Sequence, residues 1–546
     1  MKKLYLSKEL LLGGAIIAAP LCSLVMTGVF QNDMPLFPLL IICLLTLFFR
    51  LLLFLKTGRK IKEVRLTACD IAVALFISYI FLRWLLQRED VAELSIFRWF
   101  LFAVVYILAR TVNHKETLFS ALILSASLQA VVALLQKVGC LSSLHPLFDV
   151  TGTFNNPGPL GGYLAVGLVV AVLLYASSFR HWSTRTVLKV ASIGVMGTAF
   201  YWADSRAGLL AVAAGLLMAY GGKMKFFGWR GRAWCVCLSV AAVAFVCILL
   251  FAYRPLSANA RLLIWRVSSD MVMDKPLLGH GVGAFEKKYM FYQADYFRNH
   301  PQSDFLNVAD NVTYPYNELL HIAVETGMCG LVLFLLVAVS PFVFSDERTL
   351  KAVLAAWLIF AMFSYPVNVV PLMMNFALFT GLCRGKTVSV LGVNRIFCGI
   401  AVVPLMGLLA VCGHVMLFFC ESSTLLIDVL GRKVRNVEQV DLLQKLPLSC
   451  ETYCMRGDIY LERKSYGQAE ESYKVAAEMI PTRIRPNYKL WNLYLLQQDT
   501  VNARKMALHI LAQRVKVENT FSIKVRGRMK QFLDCLLYTS PSPRDA

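Results

Sequence analysis

The stretch "TYPYNELLHIAVETGMCGLVLFLL", residues 313–336, decides how this chain is read. It opens polar, with Tyr314, Tyr316, Asn317 and Glu318, and closes as an apolar run that continues past Leu336. Crossing a bilayer takes about 17–25 apolar residues, so residues 317–344 read as a membrane span. Asn317 stands where a helix cap is expected, and Glu318 sits near the positive end of the helix dipole. Glu325, two turns further in, has no such explanation. An acid at that depth pairs with a cation or faces a polar cavity, and Arg206 and Arg261 are the candidate partners. Gly327 and Gly330 allow tight helix contact.

Similar apolar runs recur at about thirteen places along the chain. They are 11–30, 37–55, 68–86, 97–112, 117–136, 159–178, 186–202, 207–221, 234–253, 317–344, 350–365, 367–382 and 397–420. The chain is 58% hydrophobic and 16% charged over 546 residues, a balance that excludes a soluble multidomain enzyme. The net charge of +21 does not point to nucleic acid, because the basic residues fall in short links between spans. With Lys2 and Lys3 inside, the inside links are 56–65, 110–116, 180–189, 223–232, 346–351 and 384–395, most of them basic. The outer side then carries 149–162, 202–208, the long loop 254–316 and everything after 421. The N-terminus looks like a signal peptide but reads as a retained first span, because alternating spans follow it. Most of the 15 cysteines lie in apolar runs as small hydrophobes. Cys450 and Cys454 fit either one helix face or a disulfide.

The domains expected are a membrane domain over 1–420, a soluble helical domain over 421–535 and an excluded tail over 536–546, where "LLYTSPSPRDA" breaks the helical pattern. In the second, Gly457, Tyr460, Ala469, Tyr473, Ala476 and Pro481 match the small and aromatic positions of a tetratricopeptide repeat. Trp491, Tyr494 and Ala503 partly repeat it about 34 residues on. An ordinary helical hairpin domain is the alternative.

Several polar groups are not required by the membrane. Arg206, in "DSRAG", lies on the outer side, where its guanidinium can grip phosphate oxygens or snorkel at a helix end. Arg261, Trp265 and Arg266 share an amphipathic helix ending before Pro276. "GHGVGAF" then places Gly279, Gly281 and Gly283 in a turn able to cradle phosphate or simply to turn. Asn155 and Asn156, in "GTFNNPGPLGGYLA", can hydrogen-bond a sugar or phosphate, or belong to a turn with an early helical proline.

In order, "GTFNNPGPLGGYLA", "DSRAG", "ARLLIWRVSSDMVMDKPLLGHGVGAF" and "YNELLHIAVETGMCG" resemble the O-antigen ligase/polymerase superfamily of bacterial membrane glycosyltransferases. The motifs cover residues 150–345, and the polytopic frame extends the likeness over most of 1–420. The resemblance implies an all-α, GT-C-like polytopic membrane bundle in the inner membrane, with its active site and tetratricopeptide-like C-terminal domain in the periplasm. It implies transfer of a glycan from undecaprenyl diphosphate to an acceptor hydroxyl on lipid A–core, a growing glycan or a protein, without metal or nucleotide. Ligase is the reading preferred. Arg206 and Arg261 then engage the diphosphate. Asn155, Asn156, Trp265, Gly281, Gly283, Tyr314, Asn317 and Glu325 are the expected substrate-side residues. The repeat domain binds a partner or acceptor.

The family's histidine before the asparagine of the fourth motif is replaced here by Tyr316. Tyr316 and His321 become the candidates for handling the acceptor's proton, with His280 and His300 nearby in sequence. A lipid-linked glycan transporter or an envelope scaffold are the rivals from other classes. A transporter needs ionisable residues at span midpoints with repeat symmetry.

Overall fold

The computed structural model describes residues 2–25, 35–56, 62–87, 93–176, 183–221, 255–393, 395–430 and 448–539. Of the described residues 79% are helical, so the expected all-α class holds among them with one small exception. The helices are α1 (Lys2–Val25), α2 (Leu36–Lys56), α3 (Ala68–Leu86), α4 (Glu93–Arg110), α5 (Lys115–Lys137), α6 (Pro157–Tyr175), α7 (Thr184–Ala203) and α8 (Arg206–Tyr220). After them come α9 (Pro255–Asp274), α10 (Ala284–Asn299), α11 (Glu318–Phe344), α12 (Arg348–Ala361), α13 (Val370–Leu382) and α14 (Arg395–Leu430). The last five are α15 (Cys450–Glu462), α16 (Tyr466–Met479), α17 (Ile484–Leu496), α18 (Thr500–Ala512) and α19 (Thr520–Thr539).

Among the described residues, seven helices are long and apolar enough to cross a membrane: α2, α3, α5, α6, most of α7, α11 and part of α14. The remaining expected spans coincide with helices that fall short of that measure. α8 and α13 have only 15 and 13 residues, and α4 carries Glu93, Arg98 and Arg110. The expected span 234–253 lies outside the described residues.

The chain folds as two compact units. The first comprises residues 1–247, 276–283 and 316–427, and the second 248–275, 284–315 and 428–546. In the first, α6 and α13 are apolar on every face and form the centre, as all-round hydrophobic helices must. Trp357 of α12 stacks on Phe376 of α13 with ring centroids 4.2 Å apart. Its indole donates to the Leu372 carbonyl at 2.8 Å. The exception to the all-α rule is an antiparallel ribbon of β1 (Lys62–Thr67) and β2 (Thr387–Val393), two segments read from sequence as plain inside links. Their pairing puts both links on one side of the membrane. Val64, Leu66, Val388 and Val390, β-branched or bulky apolar residues within these basic links, are the strand signal that charge counting passed over.

The second unit joins the long loop to the C-terminal helices. α10 packs on α16, and Gln293 of α10 donates to the Met479 carbonyl at 2.8 Å. Asn311 accepts from the Cys450 amide at 2.9 Å, and Asp310 pairs with Arg483 at 2.8 Å and Lys516 at 3.0 Å. Hydrogen bonds between residues far apart in the chain thus join part of the long loop 254–316 to the C-terminal helices. α15 and α16 form an antiparallel hairpin so close that a Cβ at Gly457 would stand 2.3 Å from the Tyr473 ring. Cys450 and Cys454 are free and buried on α15. α19 runs to Thr539, past the expected break at 536.

Candidate functional site

The first two motifs meet in the first unit. Buried glutamines on α5 hold the loop before α6. Gln136 Oε1 accepts from the amides of Thr151 and Gly152 at 3.0 and 2.8 Å, and Gln129 Oε1 accepts from that of Thr153 at 3.1 Å. Asn156 caps α6, its Oδ1 accepting from Gly158 at 2.9 Å, while Asn155 is half-buried beside it. One turn into α6, Gly161 lies against Ser205, where an added Cβ would approach Ser205 Cβ to 2.1 Å. Ser205 caps α8 through the Gly208 amide at 3.2 Å, and Arg206 is the first residue of that helix. A cation at a helix N-terminus opposes the helix dipole, so capping does not account for it. The amides and the guanidinium together favour an anion.

The helical part of the third motif, on α9, lies in the second unit, and the fourth motif, from Tyr316 on, lies in the first. Arg261 and Trp265 are one turn apart on α9, both half-buried. The Trp265 indole donates to the Pro315 carbonyl at 3.0 Å, fixing the chain between Tyr314 and Tyr316. Tyr316 has φ 53°, a left-handed conformation that costs an aromatic residue about 1–3 kcal/mol. Its ring stands edge-on to Tyr365, with centroids 5.3 Å apart. Asn317 caps α11 as expected, accepting from Leu320 at 3.1 Å. His300 stacks on Tyr296 in the second unit.

Inside the first unit α11 is not continuous. Gly327 has φ 68° and ψ −174°, and the helical ladder breaks there. The glycine-rich segment 276–283 fills the break. The amides of His280 and Gly281 donate to the carbonyls of Val324 and Glu325, both at 2.8 Å, and Met328 donates to Pro276 at 2.8 Å. Tyr79 of α3 donates to the Thr326 carbonyl at 2.7 Å. Gln87 donates to the His280 carbonyl at 2.6 Å and accepts from the Val282 amide at 3.2 Å. Gly279, Gly281 and Gly283 all have positive φ. A Cβ on Gly279 or Gly327 would fall within 2.5 Å of opposing backbone. The glycine run thus serves the peptide groups of a broken helix, and the Gly281 amide is already engaged there.

The first turns of α11 carry a buried acid–imidazole cluster. His321 is only 6% exposed. Its Nδ1 lies 3.0 Å from Glu318 Oε2 and its Nε2 lies 3.2 Å from Glu325 Oε1. The Val367 amide donates to Glu318 Oε1 at 2.8 Å. Asn368, in the 3₁₀ turn Pro366–Asn368, brings Nδ2 to 3.4 Å from His321 Nδ1. Its Oδ1 accepts from the Arg98 guanidinium of α4. The partner expected for Glu325 was Arg206 or Arg261. Its partner is His321 instead, because a residue four positions earlier on the same helix reaches it directly.

Residues 191–335 match the family described as O-Antigen ligase. Comparison with curated proteins finds no match. The O-Antigen ligase match supports a membrane glycosyltransferase of the ligase or polymerase type in general. It runs from α7 to the middle of α11 and takes in Arg206, Arg261, Trp265, Gly281, Gly283, Tyr314, Tyr316, Asn317, His321 and Glu325. Asn155 and Asn156 precede it.

Arg98 and Asn368 lie outside the match and were not singled out from sequence. Arg98 had a usable signal, a lone arginine in the apolar "SIFRWFLFAVVY", which is costly in a membrane unless it has a task. Asn368 had none, because a single amide in a loop between helices is unremarkable by pattern. The first unit thus holds Arg206 at a helix start, Tyr316 against Tyr365 and the buried Glu318–His321–Glu325 cluster, and the second holds Arg261 and Trp265 on α9.

Proposed function

We propose that this chain transfers a glycan from undecaprenyl diphosphate to an acceptor hydroxyl at the periplasmic face of the bacterial inner membrane, as an O-antigen ligase acting on lipid A–core. The observation that carries the reading is the O-Antigen ligase match ending on α11, whose first turns hold Glu318, His321 and Glu325 buried directly after the tyrosine rim. The acceptor oxygen bonds to the anomeric carbon, and the bond from that carbon to the diphosphate breaks. Its electron pair leaves on the diphosphate. Arg206 and Arg261 are assigned to that developing charge, which fixed cations stabilise without reorganising. Tyr314, Trp265 and Tyr316 present ring faces to sugar, and His321 with Tyr316 handles the hydroxyl's proton. Asn155, Asn156, Asn317 and Glu325 order the rim. The hairpins α15/α16 and α17/α18 act as a tetratricopeptide-like dock for the acceptor or a protein partner.

The test is reconstitution of the full-length protein in liposomes with undecaprenyl-diphosphate-linked O-polysaccharide and, separately, lipid A–core, free glycan or a protein acceptor. Modified lipid A–core with release of undecaprenyl diphosphate supports the ligase reading. Elongated glycan or modified protein moves the assignment to polymerase or protein O-glycosylation. The discontinuous α11 favours one other reading, a lipid-linked glycan transporter, since broken helices line transport sites. Movement of the donor across the bilayer without release of undecaprenyl diphosphate would establish that instead.

A further inference from the structure

The atoms around His321 Nδ1 are of two opposite kinds. Glu318 Oε2, at 3.0 Å, can only accept from a protonated Nδ1 when ionised. Asn368 Nδ2, at 3.4 Å, can only donate to an Nδ1 that carries a lone pair. The amide cannot turn round, because Arg98 has donors alone and therefore requires Oδ1 on its side. On the other side of the ring, Nε2 faces Glu325 Oε1 at 3.2 Å. The charged groups seen against the ring among the described residues include Glu318 and Glu325 from α11 itself and, through Asn368, Arg98 from α4.

We infer that His321 is built to take up and release a proton at Nδ1, and that Asn368 and Arg98 are positioning residues that make both states stable. The inference deepens the transfer reading and rests on it for the proton's source. As the acceptor oxygen bonds to the anomeric carbon, its hydroxyl proton ends on Nδ1 and is held by Glu318. When the products leave, the proton returns to solvent and the Asn368 amide fills the vacated lone pair. Neither Asn368 nor Arg98 touches substrate in this scheme. They act through the ring.

The test uses the full-length protein in liposomes, with undecaprenyl-diphosphate-linked O-polysaccharide as donor, lipid A–core as acceptor and undecaprenyl diphosphate release as the readout. Asn368→Asp keeps an oxygen for Arg98 but removes the donor to the ring. It is expected to lower kcat by about 100-fold, the scale of general acid–base catalysis, with KM little changed. Arg98→Met frees the amide to flip and should lower kcat similarly, while Arg98→Lys restores most of it. A second readout does not depend on turnover. In 15N spectra of histidine-labelled protein, with the His321 signals identified by their loss in His321→Asn, Nδ1 at a fixed pH should be protonated in a larger fraction of Asn368→Asp than of the unaltered protein. Unchanged kcat in Asn368→Asp, or the same Nδ1 occupancy in both proteins, overturns the inference. If the unaltered protein releases no undecaprenyl diphosphate with any acceptor, the transfer reading falls, and the spectra alone decide whether the ring is poised as described.

Discussion

Arg206 occupies a position where helix electrostatics work against it, and Arg261 sits one turn from an indole tied to the rim backbone. If both serve a diphosphate, each loss should be severe. Arg206→Ala or Arg261→Ala is expected to lower glycan transfer by about 100- to 1,000-fold, as when a preorganised electrostatic group is lost, with membrane insertion retained. Full transfer in either variant, measured on reconstituted protein, would sink the assignment. Tyr316 carries a second residue-scale expectation. Its left-handed backbone is better suited to glycine, so Tyr316→Gly should raise the apparent melting temperature in detergent while transfer falls. Parallel gains in both would mean that the ring has no task.

At the scale of elements, the interrupted helix is the feature most sensitive to small changes. Gly327→Ala must place a Cβ within 2.2 Å of the Leu277 carbonyl while keeping φ 68°. It is expected to cost about 1–3 kcal/mol and to lower thermal stability in detergent. Gly527→Ala on α19 is the contrasting case, because nothing lies within 4 Å of its Cβ position. It should gain about 0.5–1 kcal/mol through helix propensity alone. The break itself was not legible in the sequence. "ETGMCG" reads equally well as small residues for helix contact, and "GHGVG" as a loop. Only their mutual hydrogen bonds, between residues about fifty positions apart, reveal one structure. The helices themselves were legible, because hydropathy and caps such as Asn156 and Asn317 are local signals. The cluster around His321 was half legible. Glu318, His321 and Glu325 follow helical spacing, whereas Arg98 and Asn368 arrive from distant segments.

For the molecule as a whole, the second unit offers a pH test. Partial burial pushes the Asp310 carboxyl upward. The Lys516 hydrogen bond and charge, the Asn311 amide and Arg483 outweigh this and hold it below the usual carboxylate range. A folded value below the unfolded one means that Asp310 adds stability above its unfolded pKa and loses it as pH falls through the folded value. Asp310→Asn should therefore speed amide exchange in α15 and α17 near neutral pH. The difference from the unaltered protein should shrink toward zero in acid, below the folded pKa. An equal difference at both pH values would show that the contact matters for packing and not for charge.

The ribbon of β1 and β2 carries a consequence in time. Its strands are joined by register from Lys62 with Val393 to Thr67 with Thr387. At ribosomal rates of about 5–20 residues per second, β1 waits roughly 16 to 65 seconds for its partner to be made. During that interval the helices long and apolar enough to cross a membrane between the two strands, α3, α5, α6, most of α7 and α11, are made with one edge of β1 still unclaimed. Arg65, exposed on β1, places charge along that strand, which discourages a neighbouring chain from claiming it first. Closure of the ribbon is then a late event in the making of the chain, since one strand is made more than three hundred residues after the other.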